Sequence, residues 1–335
     1  MSDIEIGSPA SVPDVDVVIL SWGRVTDTCA AIESALGQQQ VLARVIVIDQ
    51  GTEAAELERL KTFCAGKPDV TLVCNNRNLG VPGGRNQGAA LGTSPYITSL
   101  DNDAEFASPF ELYKAVSQFE RDSELGILAF RIRLFSEEAD DRSSWSYLKS
   151  IDKSAGTRFL ADRFVGAGHM IRRSGFEAVG GYDDRLIFLH EEFDLSYKFI
   201  SLGFKIIYDP SVVIRHKVSA ERRVSWSGDR YYYNIRNKIY MASKFNLNIA
   251  SNALDLFMEI LSGIKKGYLR GVLRGIGGGI ALIPTGLRLR WTDPKVHLSP
   301  RAKEYIRSAL GVSGMSFQDR AVRRLRFALR RAVQK

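Results

Sequence analysis

The chain has 335 residues, enough for one large domain with an appendage or for two domains, and its 45% apolar and 25% charged content is that of a folded soluble protein. Three cysteines, Cys29, Cys64 and Cys74, form no close pair, which argues against a disulfide framework and a zinc site. The net charge of +8 conceals an asymmetry: residues 1–218 hold 23 Lys and Arg against 31 Asp and Glu, whereas residues 219–335 hold 23 against 7. The acidic part does not suit a nucleic-acid binder, and the basic part calls for an anionic partner, of which a membrane surface fits best.

Met1–Ile6 is acidic without an apolar core, so residues 1–13 are expected to be disordered, with no secretory signal and a reducing cytoplasm as the compartment. Residues 15–21 predict a buried strand. A helix follows over 26–36, with Thr26 or Asp27 as N-cap and Gly37 as the stop. Strands are predicted at 45–48, 70–73 and 96–100, and helices at 53–63 and 86–91. Four such β–α units imply an α/β fold with a mostly parallel, Rossmann-like sheet, and ligands of such sheets sit beyond the carboxyl ends of the strands. Ser21, Asp49, Asn76 and Asp101 fall at those ends. The polar 135–160 stretch predicts an exposed loop or lid. A patterned stretch at 164–172, a helix over 192–202 and short strands at 205–208 and 212–216 come next, and beyond residue 230 the pattern is helical.

The run Tyr96–Leu100 ends in Asp101-Asn102-Asp103. In an extended segment residues two apart point the same way, so Asp101 and Asp103 can converge on a divalent cation such as magnesium or manganese. Strands also end in Asp and Asn simply because both initiate turns. Asn75–Gly88 packs four glycines before a helix, a composition that suits either phosphate binding or a plain flexible loop. It is neither a Walker loop nor a dinucleotide fingerprint. A second carboxylate cluster, Glu191-Glu192-Phe193-Asp194, sits at a predicted helix start, where the dipole favours acids and where one of them can act as general base. His216, at a strand end, can complete a metal site.

The order of these elements resembles the family 2 glycosyltransferases of GT-A fold over roughly residues 14–245. The resemblance rests on Ser21-Trp22-Gly23-Arg24, Asp49, the Asn78-Leu79-Gly80…Gly83-Gly84-Arg85-Asn86 run, Asp101-Asn102-Asp103, Gly180-Gly181-Tyr182-Asp183, the Glu191–Leu195 cluster and His216. Tyr231–Lys238 also resembles bacterial members that transfer rhamnose or galactofuranose. The resemblance implies a UDP- or dTDP-linked sugar donor, with Mn2+ or Mg2+ held by Asp101, Asp103 and His216. It implies nucleobase contacts from Ser21, Trp22, Arg24 and Asp49. Asn78, Gly83, Gly84, Arg85, Asn86 and Asn102 would face the rest of the donor. The family's Glu-Asp pair maps onto Glu191-Glu192, making Glu192 the base, but a Glu stands where the family has Asp. Glu192, Glu191 and Asp194 therefore all stay candidates.

The implied reaction is inverting transfer to a glycan or lipid-linked acceptor, in the biosynthesis of bacterial cell-surface polysaccharide or glycolipid. The rival readings are a non-catalytic nucleotide-sugar scaffold and a sugar-nucleotide pyrophosphorylase. Residues 246–335 are expected to be a helical, basic appendage. Within it, residues 316–335 carry seven basic side chains and an apolar face at helical spacing, which predicts peripheral attachment to the inner face of the cytoplasmic membrane.

Overall fold

The computed structural model describes residues 14–217, 228–245, 247 and 249–312. The expected disordered N-terminus and the basic helix at 316–335 lie outside these residues. In chain order the elements are β1 (Asp14–Ser21), α1 (Val25–Leu36), β2 (Leu42–Asp49), α2 (Ala54–Cys64), β3 (Val70–Cys74), α3 (Gly80–Leu91), β4 (Tyr96–Asp101) and β5 (Ala104–Phe106). Then come α4 (Glu111–Arg121), β6 (Leu125–Leu134), α5 (Ile151–Ser154), β7 (Phe159–Leu160), β8 (Gly168–Arg172), α6 (Arg173–Val179), α7 (Glu191–Ser201) and β9 (Lys205–His216). Four helices close the described chain: α8 (Gly228–Phe245), α9 (Ile249–Lys265), α10 (Leu269–Thr292) and α11 (Pro300–Ala309).

One sheet runs in the order β3-β2-β1-β4-β8-β6-β9-β5, with β7 paired to β9. β1 to β4 are mutually parallel, as their nearly continuous apolar sequences predict, whereas β8 runs antiparallel to both β4 and β6. Alternation along β1 divides the core. Val15, Val17 and Ile19 pack with α1, α2 and α4 on one face, while Val18 joins Ala89, Leu195 and Tyr240 on the other. The chain runs outward from β1 to β3 and returns to β4 on the far side of β1, so the crevice beyond β1 and β4 is a topological switch point.

Four sequence expectations are corrected. Helix α1 has no side-chain N-cap from Thr26 or Asp27: it starts after Arg24, which adopts a left-handed conformation (φ 53°). The glycine-rich stretch is mostly helix, since α3 begins at Gly80. A Cβ at Gly84 would come within 2.7 Å of the Gln50 side chain, and one at Gly88 within 2.5 Å of Val18. These two glycines let α3 lie close on the sheet, so their bareness serves packing. The 135–160 stretch is no simple exposed lid, because Trp145 and Tyr147 pack edge-on with Phe159 and Tyr208, and Tyr147 and Asp141 are buried. The two predicted short strands at 205–216 are one strand, β9, with an irregularity between Asp209 and Val213.

Candidate active site

Strand pairing brings together the first three side chains. Asp101 ends β4 and Asp103 follows two residues later. The antiparallel pairing of β5 with β9 sets Ala104 opposite His216, which places the imidazole beside Asp103. One ligand atom from each of Asp101, Asp103 and His216 lies within 4.8 Å of the others. His216 Nε2 is 3.2 Å from Asp103 Oδ1, and its Nδ1 is 2.9 Å from Asp141 Oδ2. Asp141 in turn accepts from the Ser143 amide and from the Ser143 and Ser144 hydroxyls. Burial alone would lower the His216 pKa, but hydrogen bonds to Asp103 and Asp141 raise it to about 10. For Asp103, burial is likewise outweighed, and His216 and Arg24 hold its carboxyl below the ordinary range.

Two carboxylates and an imidazole whose other nitrogen meets a buried carboxylate are a donor set that fits a divalent cation, and loading it would displace the His216 proton. Arg24, which the resemblance assigns to the nucleobase, instead reaches Asp103 Oδ2 with Nη1 at 2.5 Å and Asp27 Oδ2 with Nε at 2.9 Å.

The ends of β1 and β2 form the adjoining wall. Asp49 is fully buried. Its Oδ2 accepts from the amides of Gly51 and Thr52 at 3.1 Å, and its Oδ1 has no hydrogen-bond partner. Thr52 Oγ1 accepts from the Gly23 amide, Ser21 Oγ lies 3.4 Å from Thr28 Oγ1, and Asn102 Nδ2 donates to Thr28 Oγ1 at 3.2 Å. Trp22 is 59% exposed above this wall, the kind of free aromatic face on which a planar ligand can stack.

Arg85 joins this wall to the second carboxylate cluster. It is 4% exposed, donates from Nη2 to the Gly166 carbonyl at 2.9 Å and lies 3.5 Å from Asp101 Oδ1. Its Nη1 has no hydrogen-bond partner and sits 3.9 Å from Glu191 Oε1 and 4.0 Å from Glu192 Oε1. Burial raises the pKa of both glutamates: the Glu192 charge adds to the rise at Glu191, and Arg85 opposes it at both. Glu191 is buried, whereas the Glu192 side chain keeps 24% exposure. Gly166 makes room for this pairing, since a Cβ there would stand 2.5 Å from Glu192 Oε1 and 2.9 Å from Arg85 Nη2.

Four candidates serve elsewhere in the fold. Asp194 is fully buried between Lys244 Nζ at 2.5 Å and Lys198 Nζ at 3.1 Å, so no acceptor can approach it. Lys244 also bonds Asp183 at 2.7 Å, so this one α8 cation ties α7 and the Asp183 turn to α8. Asn86 forms a two-way clamp with the Tyr182 backbone and donates to Asp184. Asn78 accepts from the Gly80 amide, closing the turn that starts α3, and Gly83 lies inside that helix.

Sequence reasoning missed Asp141, Gln50 and Asn237. Asp141 was hidden in a stretch that looked merely polar. Gln50 donates to the Gly80 carbonyl and accepts from the Leu79 amide, fixing the start of α3 to the end of β2. Asn237 Nδ2 faces the carbonyls of Leu186, Phe188 and Leu189 at 2.8–2.9 Å, just before Glu191. The sequence signal for it lies in the Tyr231–Lys238 run.

Residues 16–180 match the sequence model of "Glycosyl transferase family 2". The chain is 26% identical over 229 residues to the glucosyl-dolichyl phosphate glucuronosyltransferase of Haloferax volcanii, covering 61% of this chain and 69% of that protein. It is 34% identical over 94 residues to the succinoglycan biosynthesis protein ExoO of Rhizobium meliloti, covering 28% and 26%. Among solved structures it is similar to the mannosyltransferase PcManGT of Pyrobaculum calidifontis in complex with GDP-Man and Mn2+ (TM-score 0.57, 16% identity, 91% of this chain and 87% of that one). It is also similar to GalNAc-T7 with UDP, GalNAc and Mn2+ (TM-score 0.61, 17% identity, 81% and 58%). At such identity the structural matches speak for the fold. Residues 16–180 therefore form a family 2 glycosyltransferase domain, within a fold of GT-A type.

Proposed function

We propose that this glycosyltransferase moves a sugar from a nucleotide-diphosphate sugar to an acceptor hydroxyl with inversion, using Mn2+ or Mg2+ held by Asp101, Asp103 and His216. The observation that carries the reading is Arg85. One buried guanidinium stands between Asp101 and the Glu191–Glu192 pair, so a cation-binding donor set and a base lie on two sides of one cleft. A divalent cation, when bound, neutralises the diphosphate leaving group.

The chain's own residues account for the remaining work. Asp49 Oδ1, buried and unpartnered, supplies an acceptor for a base N–H, and Trp22 supplies a stacking face. Glu192 takes the proton of the acceptor hydroxyl, whose oxygen attacks the anomeric carbon as the bond to the diphosphate oxygen breaks on the opposite face. A carboxylate whose pKa is raised by burial is suited to that transfer near neutral pH. Glu191, more enclosed, holds Arg85 in place, and Asp194 anchors α7. Residues 14–245 form the catalytic unit. Residues 246–335 bring it to an anionic membrane on the cytoplasmic side, where a lipid-linked acceptor of surface-glycan assembly would be met.

A thermal-shift screen of UDP-, dTDP- and GDP-linked sugars tests donor binding. The right donor raises the melting temperature with Mn2+ present and much less with EDTA, because only the folded chain binds it. A screen in which no nucleotide sugar shifts the transition in either condition contradicts the proposal.

A further inference from the structure

Helix α10 presents two faces of opposite character. Inward, Gly271, Gly275, Gly279 and Gly286 are buried against α8, where a Cβ on Gly275 or Gly279 would meet the α8 backbone or Ile239. Outward, Leu269, Leu273, Ile280, Leu287 and Trp291 are exposed, with Ile280 at 56%, Leu273 at 59% and Trp291 at 76%. Their spacing in steps of four and seven lays them along one stripe over nearly the whole helix, a length of roughly 35 Å at 1.5 Å per residue. Exposed Arg270, Arg274 and Arg288 follow one position behind, forming a basic edge, with Arg274 also 3.6 Å from Asp229. The neighbouring helix α9 repeats the pattern with exposed Phe257, Leu261 and Ile264, followed by Lys265 and Lys266. From residue 260 to 292 there are six basic residues and no acid.

An apolar stripe of this length in water is a contact surface awaiting an occupant. We propose that the outward face of α10, extended by α9, lies flat on an anionic lipid surface, with its leucines, Ile280 and Trp291 at the acyl boundary and its arginines among the headgroup phosphates. The charge decides the occupant, since a basic edge whose one acidic neighbour is Asp229 runs beside the apolar stripe and complements anionic lipid. No described helix is long and apolar enough to cross a membrane, which favours lying on the surface. This surface is separate from residues 316–335; it rests on the membrane role proposed above for residues 246–335 and assigns it to α10 and α9, independently of the transferase chemistry.

The test uses the full chain with phosphatidylcholine vesicles containing phosphatidylserine and with phosphatidylcholine alone. Cosedimentation is expected with the anionic vesicles, accompanied by a blue shift of tryptophan emission that Trp291→Phe removes. The paired exposed substitutions Leu273→Glu and Ile280→Glu should weaken binding roughly tenfold or more, while leaving the circular dichroism and donor binding unchanged. Arg270→Ser with Arg288→Ser should weaken it mainly at low salt. A chain ending at residue 315 should still bind. Vesicle binding unaffected by Leu273→Glu and Ile280→Glu overturns the proposal, as does binding lost entirely on removing residues 316–335. A concentration-dependent dimer that these glutamates dissociate, with no vesicle binding, would assign the face to a second copy of the chain instead.

Discussion

Glu192 differs from its neighbours in one respect that bears on catalysis. Glu191 and Asp194 share the inward side of α7 and are buried, whereas the Glu192 side chain stays partly exposed. Glu192→Gln should therefore lower turnover about a hundredfold or more with donor affinity nearly unchanged, the pattern of a lost proton acceptor. Steady-state rates and calorimetric donor binding check this, and Glu191→Gln killing turnover while Glu192→Gln does not would move the role by one residue. His190, just before them, has its pKa lowered to about 4 by burial and by Lys238, and burial also pushes His169 well below its ordinary 6.5. Both are neutral in the folded protein and protonate in the unfolded chain below about pH 6.5. These two histidines should thus lower stability as pH drops from 6.5 towards 4, against the raised carboxyls of Glu191 and Glu192, which act in the opposite direction. His190→Asn should flatten part of that slope, because Asn tolerates the left-handed backbone there (φ 71°). Melting curves across that range give the answer, and an unchanged slope would contradict the assignment.

The elements that position the proposed base are α7 and α8. Ile187, Leu189 and His190 all have positive φ without being glycine, a concentration of backbone strain just before Glu191. Strain of this kind persists only where surrounding structure imposes it. Here Asn237 faces three carbonyls, Asn234 pairs with His190, and the Val81 amide donates to the Ile187 carbonyl. Asn237→Ala should cost about 1–3 kcal/mol through the carbonyls it leaves unpaired. It should also depress kcat more than donor affinity, and rescue by Asn237→Gln would be at most partial. Equal stability and equal kcat in the alanine variant would remove α8 from this role. The glycines of α3 show why element boundaries were hard to read. Gly80, Gly83, Gly84 and Gly88 look like a loop because helix propensity disfavours glycine, yet packing on β1 and β2 requires the absence of a side chain at Gly84 and Gly88.

At the scale of the whole molecule, the sheet and the metal-type cluster were legible because both are written locally. Apolar runs mark β1 to β4, and Asp101 and Asp103 are two residues apart. The contribution of Asp141 to His216 was not legible, since it depends on how a polar stretch folds back 75 residues away from its partner. Nor were the antiparallel strands β8 and β5, whose short sequences carry no directional signal. The opposed charge of the two halves was plain in the sequence, but the outward stripe of α10 emerged only once α8 was seen to cover the glycine face. Release of nucleoside diphosphate from the donor that thermal shift identifies, followed with Mn2+ or EDTA for the wild type and Asp103→Asn, shows whether transfer runs through the Asp101, Asp103 and His216 cluster. Turnover should require the divalent cation and fall about a thousandfold or more in the variant, as loss of a metal ligand at the leaving group implies. Turnover indifferent to EDTA, or a folded Asp103→Asn protein at the wild-type rate, would contradict that role of the cluster.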